Sequence, residues 1–108
     1  MSELKLSDEA LKTEVKALPG WKIAGKGDAR MLVRELKFSG FPASMKFVNR
    51  LADAAEKAGH HPDIDIRYSR VRLGLITHDA NGITRKDLDL ARVAEALVAA
   101  DLENGILG

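Results

Sequence analysis

Apolar residues recur along the chain with two periods, and the switches between them mark out its elements. Leu11, Val15 and Leu18 are spaced as on one face of a helix. Ser7 stands ahead of them as a cap, and Asp8 and Glu9 lie where the helix dipole favours acids. Pro19-Gly20 ends that segment. Trp21-Lys22-Ile23 reads as a short strand and Gly25-Lys26-Gly27-Asp28 as a turn. Ala29 to Phe38 follows as a second strand centred on Met31, Leu32 and Val33. Beyond Ser39-Gly40, Pro42 suits a first helical turn. Phe41, Met45, Val48, Ala52 and Ala55 then recur at helical steps, which predicts a helix that buries this face. Met45, Phe47 and Val48 are assigned to the core, and Gly59 is the C-terminal stop.

The period then drops to two. Ile64, Ile66 and Tyr68 alternate with Asp63, Asp65 and Arg67, and Val71, Leu73 and Leu75 alternate with Arg72, Gly74 and Ile76. Matching the apolar faces pairs Tyr68 with Val71, Ile66 with Leu73 and Ile64 with Leu75 around a Ser69-Arg70 loop. Extending that ladder sets His61 opposite His78. The last helix opens at Thr84, with Asp87 at capping-box spacing, and carries Leu90, Ala91, Ala94, Leu97 and Val98 as its stripe. The predicted order is α-β-β-α-β-β-α. Its natural packing is an α+β fold, a four-stranded antiparallel sheet with three helices on one face. Ala29–Phe38 has apolar residues on both faces and Ile76 lies on a polar side, which hints at a second subunit over the outer sheet.

Composition narrows the setting. A chain of 108 residues is expected to form one domain, residues 1–108. Its 17 basic and 16 acidic residues leave no electrostatic drive toward nucleic acid or a membrane surface. Cysteine is absent, which removes disulfides and thiolate chemistry. No apolar run approaches the ~20 residues of a membrane helix. Met1-Ser2-Glu3-Leu4-Lys5 is not a signal-peptide pattern, so the expected compartment is the cytoplasm.

The candidate chemistry lies in three histidines, two of them adjacent: His60-His61, followed by Pro62, and His78. Pro62 pushes His61 toward extended geometry, so the pair sits in a helix–strand joint. Imidazole both gives and takes protons near neutrality, which suits acid/base catalysis. Three imidazoles could also ligate zinc. The adjacent pair, however, lacks the one-face i, i+4 spacing of helical ligands, and no cysteine is present to complete a structural site.

These residues also form a longer pattern. Ala55-Glu56-Lys57 precedes Gly59-His60-His61-Pro62-Asp63-Ile64, and Tyr68, Val71, Leu75, Thr77-His78, Gly82-Ile83-Thr84 and Asp87 follow. This resembles the signature of the pterin-4a-carbinolamine dehydratases, and Leu18-Pro19-Gly20-Trp21 is similar to that family's early Gly-Trp segment. The resemblance runs from Leu18 to Ala99. It implies an enzyme that removes water from 4a-hydroxytetrahydropterin to give quinonoid dihydropterin. The product is recycled for aromatic amino acid hydroxylases. It further implies no metal and no organic cofactor, the pterin being the substrate, and assembly into homodimers or homotetramers.

Carried over by position, His60, His61 and His78 fall on the family's active-site histidines, Asp87 on its acid, and Glu56 and Trp21 on lining or supporting positions. Three departures stand out. Gly59 replaces a frequent Asn or Asp, Ile64 replaces the Trp of animal members, and Asn81 replaces a glycine common in bacterial ones. Dehydration requires one group to protonate the departing hydroxyl and another to take a proton from ring nitrogen. The expected pair is His60 and His78, with His61 orienting the pterin. Simpler readings stand beside these: Asp87 as a helix cap alone, Trp21 as a core anchor and Glu56 as a solvated helix residue. A non-catalytic adaptor on the same scaffold, like the transcription-factor partner role of animal members, is the alternative function.

Overall fold

A computed structural model describes residues 4–103. Its elements are α1 (Asp8–Lys16), β1 (Trp21–Ala24), β2 (Met31–Lys37), α2 (Phe41–Ala58), β3 (Asp63–Arg67), β4 (Arg70–Leu75) and α3 (Arg85–Glu103), the order predicted from the pattern. Ser7 caps α1, its Oγ accepting from the Ala10 amide at 3.2 Å. The strands form one antiparallel sheet in the order β1-β2-β4-β3.

Register sorts the side chains. Ile23, Leu32 and Leu75 align across three strands, as do Leu36, Val71 and Ile66. This face packs against the helices through Leu11, Phe47, Leu51, Leu88, Ala91 and Ala94. Phe47 is fully buried, which contributes about 1.5–3 kcal/mol in transfer free energy. The other face carries Lys22, Glu35, Lys37, Asp63, Asp65, Arg70 and Arg72, all exposed. The structure is thus α+β, with its helices on one side of the sheet.

Three expectations change. The second strand starts at Met31 rather than Ala29, because Gly27–Ala29 is a turn of 3₁₀ helix. The buried face of α2 is Ser44, Phe47, Val48, Leu51 and Ala55, not the row through Phe41 and Ala52. Two apolar rows lie side by side on this helix, and the one with Phe47 and Leu51 buries more area. Ser44 is accommodated in that row because its hydroxyl donates to the Gly40 carbonyl at 3.1 Å. Phe41 is left 46% exposed.

The hairpin register is also two residues from the expected one: Ile66 pairs with Val71 and Ile64 with Leu73. A slip of two keeps every side chain on its face, so alternation alone cannot detect it. The loop is Tyr68-Ser69, with Tyr68 in the left-handed region at φ 55 and 72% exposed. Val33 and Ile76 are each 7% exposed within the single chain.

Candidate active site

The site begins where α2 ends. Gly59 turns the chain into the left-handed region at φ 67, and the His60 amide reaches back to the Ala55 carbonyl at 3.2 Å. This Schellman closure fixes the position of His60 relative to the helix. The His60 side chain is 12% exposed, and its Nε2 lies 2.5 Å from Oδ1 of a fully buried Asp87.

Asp87 is held from the opposite direction by the start of α3. The Thr84 amide donates to Asp87 Oδ2 at 2.9 Å, and the Lys86 amide donates to Thr84 Oγ1 at 3.2 Å. Thr84 thus caps α3 through the second helical amide, and Asp87 reaches back to the cap amide as the acid of a capping box does, with Asp in place of Glu. Asp87 Oδ2 also accepts from Thr77 Oγ1 at 2.8 Å, and Thr77 Oγ1 lies 2.7 Å from Thr84 Oγ1. Asp87 therefore caps the helix with one oxygen and meets His60 with the other.

His78 follows Thr77 directly and opens the 3₁₀ turn His78–Ala80. A Thr77–Gly82 bridge closes this loop, with the Thr77 amide donating to the Gly82 carbonyl at 2.9 Å. β4 stops at Leu75, so the strand ladder does not set His61 opposite His78. His78 itself is exposed, next in the chain to the buried Thr77, and its imidazole makes no hydrogen bond among the described residues. His61 is exposed, and its Nε2 pairs with the exposed Glu56 at 2.7 Å.

Trp21 is buried in the core, and its indole Nε1 donates to Glu95 at 2.7 Å. Arg34 Nε donates to the same Glu95 oxygen at 2.8 Å. Glu95 lies eight residues beyond Asp87 on α3, or about 12 Å along the axis. The indole N–H thus serves the joint between β1 and α3. Among the described residues, no three His, Cys, Asp or Glu side chains gather as metal ligands. A groove of about 420 Å³ on the charged sheet face is bounded by Glu35, Lys37, Arg67 and Arg72, and none of the candidate residues lines it.

Sequence reasoning assigns Thr77 no role of its own. Its burial at 6% beside a fully buried acid ten residues on is a tertiary fact. The two glycine-related departures have a local explanation. Gly59 and Asn81 both occupy left-handed positions, φ 67 and φ 55, where Gly and Asn interchange most readily.

The histidine–carboxylate pair, the capped helix and the Thr77-His78 loop coincide with a match along the chain. The family model described as Pterin 4 alpha carbinolamine dehydratase spans residues 4–97. The chain belongs to this family. An Acidobacterium capsulatum protein named "Putative pterin-4-alpha-carbinolamine dehydratase" is 51% identical over 94 residues, 87% of this chain and 98% of its own. A similarly named Gloeobacter violaceus protein is 45% identical, covering 81% of this chain and 95% of its own. Among solved structures, a Brucella melitensis transcriptional coactivator/pterin dehydratase aligns with a TM-score of 0.81 at 32% identity, over 86% of this chain and 97% of that one. A pterin dehydratase-like RuBisCO assembly factor of the alpha-carboxysome aligns at 0.61 and 24% identity over 72% of this chain and 88% of its own, a likeness of fold alone.

Proposed function

We propose that this member of the pterin carbinolamine dehydratase family removes water from 4a-hydroxytetrahydropterin to give quinonoid dihydropterin, by proton transfer through histidine. The observation that carries the reading is His60 Nε2 at 2.5 Å from the buried Asp87, which is itself anchored by Thr77 and the α3 cap. An imidazole oriented by a carboxylate is suited to proton exchange at its other nitrogen. In this reading His60 and His78 form the acid/base pair, one protonating the departing hydroxyl and the other taking the proton from ring nitrogen. Each transfer is worth about 100- to 10,000-fold. His61, paired with Glu56, binds and orients the pterin, and Trp21 supports the site from behind by tying β1 to α3 through Glu95. No metal or cofactor takes part. The protein acts in the cytoplasm as a homodimer or homotetramer, recycling the pterin of aromatic amino acid hydroxylases.

The test follows decay of synthetic 4a-hydroxytetrahydropterin with and without protein. Acceleration that is lost in a folded His60→Ala, His78→Ala double variant supports the reading. Decay at the uncatalysed rate with the native protein overturns it in favour of an adaptor. Stoichiometric zinc that copurifies and is lost on histidine substitution overturns the metal-free mechanism.

A further inference from the structure

We infer that Thr77 and Thr84 are positioning residues that hold His60 as its Nε2–H tautomer, so that Nδ1 is the nitrogen that exchanges protons. The exchange with a pterin rests on the proposed function, whereas the tautomer rests on the hydrogen-bond geometry alone.

The chain of contacts is directional because it starts from a group that can only donate. The Lys86 amide donates to Thr84 Oγ1. Thr84 Oγ1 and Thr77 Oγ1 then have one hydrogen each to serve two oxygen–oxygen contacts, Thr84–Thr77 at 2.7 Å and Thr77–Asp87 at 2.8 Å. If Thr84 donates to Thr77 and Thr77 donates to Asp87 Oδ2, both hydrogens are used and every contact is a hydrogen bond. If the order is reversed, Thr84 keeps a hydrogen with no acceptor among the described residues. Asp87 must then carry a proton on Oδ2, the atom that already faces the Thr84 amide at 2.9 Å. Burial makes that arrangement costly: Thr77 is 6% exposed, and Thr84 and Asp87 are 0% exposed.

In the satisfied order Oδ2 accepts from both the Thr77 hydroxyl and the Thr84 amide, which favours the ionised carboxylate, and an ionised carboxylate only accepts. His60 Nε2, facing Asp87 Oδ1, must therefore donate. In the neutral ring the lone pair then lies on Nδ1, which makes no hydrogen bond among the described residues. A proton taken from substrate enters at Nδ1 and is returned from there. The resulting imidazolium faces the Asp87 charge, and Asp87 itself gains no proton. The threonine hydroxyls stand two and three hydrogen bonds from the imidazole. They touch no reacting atom and set which nitrogen is free.

The experiment is histidine-selective ¹⁵N NMR on the full chain across a range of pH, with Thr77→Val and Thr77→Ser beside the wild type. The expected wild-type spectrum shows His60 predominantly as the Nε2–H tautomer. Thr77→Val, which keeps the shape and removes the hydroxyl, should shift it toward a mixture, and Thr77→Ser should restore it. With the dehydration assay, Thr77→Val should lower kcat by about 10- to 100-fold with little change in KM, and Thr77→Ser should stay within about threefold. A wild-type His60 carrying its proton on Nδ1, or a tautomer and pH–rate profile unaltered in folded Thr77→Val, overturns the inference. The resonance measurement needs no turnover. A protein that shows the Nε2–H tautomer but does not dehydrate the pterin upholds this inference and overturns the function proposed above.

Discussion

Asp87 makes two separable sets of contacts, one to the start of α3 and one to His60, and two substitutions should pull them apart. Asp87→Ala removes the acceptor for the Thr84 amide, the Thr77 hydroxyl and His60 Nε2. All three donors are wholly or largely buried, and a hydrogen bond to a charged group is worth about 1.5–3 kcal/mol. The losses do not add fully, so the expected destabilisation is roughly 3–5 kcal/mol. Asp87→Asn keeps an oxygen where Oδ2 lies, so the Thr84 amide and Thr77 hydroxyl still have an acceptor. Its expected cost is only about 1–2 kcal/mol. The new amide nitrogen, however, then faces His60 Nε2 and can only donate. His60 must turn its lone pair toward that amide and carry its hydrogen on Nδ1, the wrong tautomer for the proposed proton transfer. Both variants should therefore lose about 100- to 10,000-fold in rate, although they differ in stability. Urea denaturation gives the two stabilities and decay of 4a-hydroxytetrahydropterin gives the two rates. Asp87→Asn with a native rate, or Asp87→Ala no less stable than Asp87→Asn, would contradict this division of roles.

Other predictions concern the frame. The Arg85 guanidinium, hydrogen-bonded to Glu14 at 3.0 Å and assisted by Arg92, holds that carboxyl below the usual carboxylate value. A lowered folded-state pKa adds stability at neutral pH that is lost as pH falls through the lowered value. Glu14→Gln should therefore lower Tm at pH 7 but not below that titration, and a gap that persists in acid would count against the ion pair as its source. Gly59→Ala should cost about 1–2 kcal/mol, because its left-handed φ of 67 is strained for alanine even though an added Cβ meets nothing within 4 Å. Gly59→Asn should cost less than Gly59→Ala; equal denaturation midpoints would sink that account. Tyr68 holds a φ of 55 at an exposed hairpin tip, so Tyr68→Asn should stabilise by up to about 1 kcal/mol. A lower midpoint for Tyr68→Asn would show that the tyrosine ring contributes more than its backbone strain costs.

The fold was largely legible because its signals are local. Ser7, Gly59 and Thr84 mark helix ends through bonds to residues three to five positions away. The strands announce themselves by alternation from Asp63 to Leu75. Ambiguity entered where two solutions share the same local pattern: the two apolar rows of α2, and hairpin registers two residues apart. The site was partly legible. His60, Asp87 and the Thr77-His78 step were recognisable through a family pattern, whereas the bonds that join them were not.

The order of elements, most of their ends and the inward faces of β3 and β4 are thus written in the chain itself, because caps and side-chain periods act over a few residues. The hairpin register, the buried row of α2 and the partnership of His60 with Asp87 emerge only when the elements pack together. That last pair is 27 residues apart, and its meeting depends on where α2 stops relative to where α3 begins. That relation is set by packing across the shared core, and periodicity does not encode it.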